Sequence, residues 1–139
     1  MKFVIDTNIL FSALIKDSVT RALILLPKET FYYPETAMEE VKKYKEFIIS
    51  KSGLSIKDFD KLFNIIKSRI IIVREEAFRQ KIQEANEEIG HIDIKDVMFL
   101  ATALAVPNDG IWSEDAHFEK QKKVKVWKTK DIIKILEKD

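Results

Sequence analysis

The sequence predicts an α/β protein of three layers, with helices on both faces of a central, mostly parallel sheet of about five strands. Two observations lead to this fold class. Short runs rich in β-branched and aromatic residues alternate with longer amphipathic stretches along all 139 residues. Strands that alternate with helices form right-handed crossovers, which make the sheet parallel and cover both of its faces. No repeat or Gly/Ser-rich linker divides the chain, so we expect a single domain over residues 1–139.

The first half of the chain predicts two strands and four helices. In order, they are a strand at 3–5, helices at about 8–15 and 18–26, a strand at 31–33, and helices at 35–50 and 55–67. Pro27 ends the second helix, and Pro34 suits the start of the third. Gly53 suits the C-terminal cap of that third helix. Ser55 and Asp58 have the spacing of a capping box, with Asp in the usual place of Glu.

The second half predicts three strands and three helices. In order, they are a strand at 70–73, helices at 75–88 and 96–106, strands at 110–112 and 124–127, and a helix that Thr129 caps and that ends near Glu137. Four consecutive β-branched residues at 70–73 favour a strand buried on both faces. The helix at 96–106 is almost entirely apolar and should be the most buried one. The expected buried side of the helix at 75–88 is formed by Ala77, Ile82, Ala85 and Ile89.

The composition excludes several chemistries. The chain has no cysteine, which excludes disulfides, thiolate metal sites and a cysteine nucleophile, and its two histidines, His91 and His117, are too few for a multi-histidine site. The 24 basic and 23 acidic side chains leave a net charge of +1, so a chain-wide basic field for nucleic acid is absent, although a local patch stays open. Any chemistry must therefore come mainly from carboxylates.

The sequence gives no sign of a membrane segment. Asp6 interrupts what would be the apolar core of a signal peptide, and no apolar run approaches the roughly 18–20 residues that cross a bilayer. We therefore expect a cytoplasmic protein without membrane contact.

Acidic residues recur where strands are expected to end, which is the edge at which parallel α/β sheets form active sites. Asp6 follows the first strand, Asp115 follows the strand at 110–112, and Asp96 begins the buried helix with Asp93 one turn earlier. The acids at this edge are completed by Glu40, near the start of its helix, with Glu39 as the alternative. Several acids in one cleft repel one another unless they bind protons or a cation, and Mg²⁺ or Mn²⁺ is the oxygen-preferring choice.

Each of these residues also has a purely structural interpretation. Asp at a strand–helix joint is commonly an N-cap, which applies to Asp6 and Asp96. His117 is expected in a capped turn above the core rather than against substrate. Trp112 and Trp127 are expected in the core. The lysine runs after Glu40 and after Asp115 are solvated faces by default, and their position beside the acids makes contact with an RNA backbone the alternative.

Four segments together resemble the motifs of PIN-domain nucleases. Residues 5–10, Ile-Asp-Thr-Asn-Ile-Leu, look like the opening motif, and Glu40 followed by Val41 looks like the second acid. Residues 93–104 resemble the third motif in the subgroup with two aspartates there. Residues 111–118 resemble the fourth, with Ser113 in the usual Thr/Ser position and Asp115 as the acid. The resemblance runs in order from residue 1 to about residue 136.

The resemblance implies a metal-dependent endoribonuclease related to the toxins of VapBC-type toxin–antitoxin pairs. Two Mg²⁺ or Mn²⁺ ions about 4 Å apart would act on the phosphodiester. The implied catalytic and metal-binding residues are Asp6, Glu40, Asp96 and Asp115, with Asp93 as a further metal ligand and with Asn8, Ser113 and Lys43 in support or against substrate. The implied partners are an RNA substrate, an antitoxin protein and a second copy of the chain. The apolar stretch 22–26 offers a contact for that second copy, or equally packs inside the chain.

Three other functions are alternatives to this one. A haloacid-dehalogenase-type phosphatase needs a second aspartate where Asn8 stands. A response-regulator receiver needs an acidic pair where Asp6 is followed by Thr7. A catalytically silent PIN-like RNA-binding or adaptor protein is the remaining alternative, although such a protein is expected to have lost at least one of the acids.

Overall fold

The computed structural model describes residues 1–137, in which five parallel strands form a sheet between layers of helices. The three-layer α/β/α prediction is thereby confirmed. The predicted domain end at residue 139 lies outside the described residues, and the single domain over 1–139 stays a prediction. The strands are β1 (Lys2–Ile5), β2 (Thr30–Pro34), β3 (Ile70–Val73), β4 (Gly110–Trp112) and β5 (Val126–Trp127).

The helices follow the strands in the predicted sequence. The α-helices are α1 (Thr7–Ile15), α2 (Val19–Ile24), α3 (Met38–Lys43), α4 (Lys45–Ser52), α5 (Ile56–Ser68), α6 (Glu75–Phe78), α7 (Ile82–Ile89), α8 (Val97–Ala105) and α9 (Thr129–Glu137). Short 3₁₀ turns occupy Glu35–Ala37, Arg79–Lys81, Ile94–Asp96 and Ala116–Lys120. Over residues 1–137, no helix combines the length and the apolar character needed to cross a bilayer.

The strand order β3-β2-β1-β4-β5 creates a crevice in the middle of the sheet. The chain builds outward from β1 to β2 and β3, and then returns to place β4 on the other side of β1. Such a reversal of direction is a topological switch point, where the loops leaving two neighbouring strands diverge and open a ligand site. The carboxyl ends of β1 and β4 therefore meet at the place where this fold class binds its ligands.

The core of the sheet is aromatic. Phe3, Phe31 and Trp112 are buried, with ring centroids 6.3 Å apart for the two phenylalanines and 5.8 Å apart for Phe31 and Trp112. Trp127 is also buried, as expected, and its ring meets Phe3 edge-on. Large rings packed on three neighbouring strands fix the sheet beneath the crevice, and aromatic pairs of this kind contribute about 0.5–1.5 kcal/mol beyond their buried area.

Gly110 allows the last two strands to pair. Its φ of 143° lies in a region that residues with a side chain rarely adopt, and a Cβ there would lie 2.4 Å from the Lys125 carbonyl oxygen. That same carbonyl accepts a 2.9 Å hydrogen bond from the Ile111 amide. Glycine at this position therefore permits β5 to approach β4. The chain that leaves β4 then leads into the crevice.

Two predicted helices are interrupted. The helix expected at 35–50 breaks at Tyr44, where φ is −103° and ψ is 12°, and the Tyr44 ring packs 6.0 Å from that of Phe11. The helix expected at 75–88 breaks at the 3₁₀ turn 79–81. Phe78 is buried and Ala77 is exposed, contrary to the prediction for Ala77, because Phe78 rather than Ala77 has the helical spacing that places it on the same side as Ile82, Ala85 and Ile89.

The two edge strands also differ from expectation. Ile71 of β3 is 52% exposed, so the prediction that this strand is buried on both faces is wrong. The reason is topological, since β3 is an edge strand with a neighbour on one side only. At the other edge, β5 covers residues 126–127 rather than 124–127. Thr129 is the first residue of α9, and its hydroxyl accepts a 3.0 Å hydrogen bond from the Trp112 indole.

Candidate metal centre

Five acidic side chains line one cleft of about 120 Å³ at the carboxyl edge of the sheet. The acids are Asp6, Glu40, Asp93, Asp96 and Asp115, and the other residues that line the cleft are Thr7, Asn8, Lys95 and Phe99. They come from segments far apart in sequence, which meet because β1 and β4 are neighbours and α8 packs across them. The cleft thus contains many carboxylates and a single basic lining residue among those described.

Asp6 is fixed by hydrogen bonds on both of its oxygens. It follows β1 directly and caps α1, with Oδ1 accepting a 2.9 Å hydrogen bond from the Ile9 amide. The Ser113 hydroxyl donates to Oδ2. Ser113 is fully buried, and its Oγ also accepts a 2.9 Å bond from the Asp115 amide. Ser113 therefore joins the two acids that leave β1 and β4.

Glu40 is held by a buried hydroxyl pair. The Thr7 Oγ1 lies 3.4 Å from Glu40 Oε1 and 2.8 Å from the Tyr33 hydroxyl, which itself donates to the Ala37 carbonyl at 3.0 Å. Burial raises the pKa of Tyr33, so the phenol keeps the proton that it donates. Glu39 instead is exposed, 3.6 Å from Lys42 Nζ. Glu40 is therefore the acid of this helix that reaches the cleft, a choice that the sequence left open.

Asp93 and Asp96 enter the cleft from the turn before α8. Asp93 Oδ1 accepts a 2.9 Å hydrogen bond from the Lys95 amide and so begins the 3₁₀ turn, which ends at the buried Asp96. The apolar helix α8, which begins at Val97, anchors this turn against the sheet. Two carboxylates thus project from a single turn. The turn is held in place by α8, because movement of this helix would expose core residues.

Asp115 starts a second turn that carries His117 into the cluster. Asp115 Oδ1 accepts a 2.9 Å bond from the His117 amide. The His117 Nδ1 then lies 3.1 Å from Asp96 Oδ2, 3.4 Å from Asp115 Oδ1 and 3.7 Å from Asp93 Oδ2. Asp93, Asp96 and His117 together offer three atoms that could bind one metal ion.

The electrostatics of the cleft favour neutralisation. Burial raises the pKa of Asp6 from 3.8 to about 6, despite the hydrogen bonds from Ser113 and Ile9 that lower it. Burial, together with the charges of Asp93 and Asp115, raises the pKa of Asp96 from 3.8 to about 6, despite the hydrogen bond with His117 that lowers it. A carboxylate that resists ionisation for these two reasons gains from a proton or from a bound cation.

Some residues predicted for the site lie elsewhere, and others were missed. Lys43 lies exposed on α3 with its Nζ 5.4 Å from the Tyr44 ring centroid, and it is not among the residues that line the cleft. Lys95 and Thr7 were not expected there. His117 was expected only in a capped turn, which it occupies, yet it also contacts three acids. The spacing of two residues from Asp115 is the signal that could have found it, because an Asp-capped turn brings residue i+2 back to the carboxylate.

The fold and the cleft define a class: a parallel α/β domain with a carboxylate cluster of the metal-binding type at its switch point. The sequence matches the PIN domain family model over residues 4–137, and the chain therefore belongs to the PIN-domain family. A search of curated proteins gives no match. PIN domains are generally nucleases with an acidic cluster that binds divalent metal, which suggests a nuclease and agrees with the cleft of this chain.

Proposed function

We propose that this protein is a Mg²⁺- or Mn²⁺-dependent endoribonuclease that hydrolyses RNA phosphodiester bonds, and that it is the toxin of a VapBC-type toxin–antitoxin pair. The observation that supports the catalytic part is the gathering of five carboxylates around one cleft in a PIN-domain chain. The toxin role rests on the resemblance of the four acidic motifs alone.

The residues of the cleft fit a divalent metal. Their donors are carboxylate oxygens, the ligands that Mg²⁺ and Mn²⁺ prefer. Asp6, Asp96 and Asp115 would hold the metal, and Glu40 and Asp93 would complete its surroundings. When bound, divalent ions would supply Lewis-acid chemistry, which activates water for attack on phosphorus and stabilises charge on the leaving oxygen.

The protein's own residues orient these acids and set the surroundings of the substrate. Ser113 and the Ile9 amide hold the Asp6 carboxylate in one orientation, and Thr7 does the same for Glu40. Because these carboxylates are oriented before the substrate binds, the reaction does not have to pay the entropic cost of ordering them. Lys95, at the cleft, would attract the phosphate backbone.

Other lysines contribute unequally to RNA contact. Lys123 lies 3.0 Å from Glu84 and Lys128 lies 3.8 Å from Glu119, so both are engaged in ion pairs. Lys120, the last residue of the turn that follows Asp115, and Lys122, just beyond that turn, are both exposed. We assign the approach of the RNA backbone to these two side chains and Lys95, because phosphate contacts position a nucleic acid without reading its sequence.

A homodimer and an antitoxin are the proposed protein partners. Within the stretch 22–26, Leu23 and Ile24 are buried in the chain's own core, whereas Leu25 is exposed. The stretch therefore offers less apolar surface to a second copy than its sequence suggested, and the dimer proposal no longer depends on it.

The test is metal-controlled RNA cleavage by the full-length protein. Purified protein freed of metal with EDTA should leave total RNA intact, and added Mg²⁺ or Mn²⁺ should restore cleavage that Asp6→Asn lacks. Circular dichroism would check that the variant is folded. Equal cleavage with and without EDTA would contradict the proposal. RNA binding without cleavage under every metal condition would favour the silent adaptor instead.

A further inference from the structure

His117 occupies an unusual position for a residue that was not among the predicted metal ligands. Its Nδ1 lies within 3.1–3.7 Å of oxygens from Asp96, Asp115 and Asp93. The other histidine, His91, is exposed just beyond α7. Three carboxylates around one imidazole nitrogen are either an ion-pair cluster or the ligands of one metal ion.

The distances match the spacing of ligands on a single ion. Two atoms bound at right angles to a metal at about 2.0–2.2 Å lie about 2.8–3.1 Å apart. The Nδ1 to Asp96 Oδ2 distance of 3.1 Å falls at that value, and the 3.4 Å to Asp115 Oδ1 is close to it. Asp93, Asp96 and His117 each offer one ligand atom, and these three atoms lie within 4.8 Å of one another.

The backbone fixes the ring at this place. The His117 amide is bound by Asp115, and the next residue, Phe118, is fully buried with its ring 6.3 Å from Phe99 of α8 in an edge-to-face contact. Asp96 precedes that same helix. The turn that carries His117 and the helix that follows Asp96 are thus joined by a core contact, which sets the distance between the two side chains.

We propose that His117 Nδ1 is a nitrogen ligand of the metal centre, and that it shifts the preference of the centre from Mg²⁺ toward first-row transition metals such as Mn²⁺ and Co²⁺. This inference rests on the metal binding in the proposed function. Mg²⁺ binds oxygen almost exclusively, whereas imidazole raises affinity along the series from Mn²⁺ to Co²⁺ and beyond. One nitrogen among carboxylates therefore discriminates between the two kinds of ion.

The direct test is pulsed electron paramagnetic resonance of the Mn²⁺-loaded full-length protein, which detects coupling of the ion to a ligating ¹⁴N. Because the chain has two histidines, the signal can be assigned by substitution. We expect imidazole coupling in the wild type and in His91→Gln, and its loss in His117→Asn. The asparagine amide places an oxygen near the former Nδ1, so a metal can still bind, and a melting curve checks the fold.

Affinity provides the second readout. In titrations of the metal-free protein, His117→Asn should weaken Co²⁺ binding about tenfold or more and change Mg²⁺ binding much less, since removal of a metal-site group commonly costs 10–100-fold. Bound Mn²⁺ without nitrogen coupling would overturn the His117 inference and leave the carboxylate site standing. No bound Mn²⁺ at all would overturn both this inference and the metal-dependent function.

Discussion

The acids of the cleft and the acids of α7 show two different uses of the same side chains. Glu84 and Glu88 lie 3.0 and 3.7 Å from Lys123, and the hydrogen bond from Lys123 lowers the pKa of Glu84. Asp6 and Asp96 are buried among other acids, and their pKa values rise to about 6. The acids of α7 thus have a neighbour of opposite charge, whereas the acids of the cleft have neighbours of like charge.

The difference separates structural acids from functional ones. A surface pair such as Glu84–Lys123 satisfies both charges and contributes little to stability. A crowded, buried acid is unfavourable in its charged form, and acids of this kind cluster at functional sites, where a ligand compensates. The comparison also shows that capping does not argue against function. Asp6, Asp93 and Asp115 each use Oδ1 to cap a turn while their side chains line the cleft.

The largest expected effect is on catalysis. Asp96→Asn should lower the rate of RNA cleavage about a thousandfold, because a lost ligand removes several kcal/mol of charge stabilisation. Glu84→Gln, the matched loss of one negative charge outside the cleft, should leave the rate unchanged. Initial rates at saturating Mn²⁺ provide the measurement. Similar losses in the two variants would break the comparison.

The next effect is on stability, and its sign is opposite to that of a typical core substitution. The folded chain holds the Asp96 proton more tightly than the unfolded chain does, so the free energy of unfolding falls as the pH rises from about 4 to about 6. In metal-free protein, Asp96→Asn should therefore raise this free energy by about 1–2 kcal/mol at about pH 7.5, after allowance for solvent screening, and not at about pH 4.

Urea denaturation at the two pH values measures this difference. Glu84→Gln serves as the control, because the pKa of Glu84 shifts downward and its loss should not stabilise the protein at either pH. A destabilised Asp96→Asn variant at the higher pH would show that the carboxylate is a structural group.

The smallest effect concerns the position of Glu40. Thr7→Val keeps the shape of the side chain but removes the hydroxyl 3.4 Å from Glu40, and should lower the cleavage rate about tenfold through lost orientation. Thr129→Val is the matched control, because it removes the hydroxyl that accepts from the Trp112 indole and Thr129 does not line the cleft. That control should lower the melting temperature but not the rate. An unchanged rate in Thr7→Val, or an equal rate loss in both variants, would contradict the assigned role of Thr7.

Much of the fold could be predicted because its signals are local. Asp6 and Ser55 cap their helices as the sequence indicated, and Gly53 ends α4 at a φ of 70°. The interruptions at Tyr44 and at 79–81 were not predictable, because contacts such as that of Tyr44 with Phe11 join residues distant in sequence. The exposure of Ile71 depends on strand order, which the pattern of one strand does not contain.

The candidate site was predictable to the extent that its residues end strands or begin helices. The four acidic motifs were enough to predict that the carboxylates lie at the carboxyl edge of the sheet, because this placement does not depend on side-chain contacts. The position of His117 required more, since its distance to Asp96 is set by the packing of Phe118 on Phe99. Thr7 was missed for the same reason, because its role depends on Tyr33 of the neighbouring strand.

The most direct test of the metal centre is a crystal structure of the protein soaked in Mn²⁺, with anomalous data collected at the manganese absorption edge. We predict an anomalous peak in the cleft that marks a Mn²⁺ ion. The ion should contact Asp96 and Asp115 and lie close to the Asp6 and His117 side chains. An occupied Mn²⁺ site elsewhere on the protein, with no peak between these residues, would contradict the account.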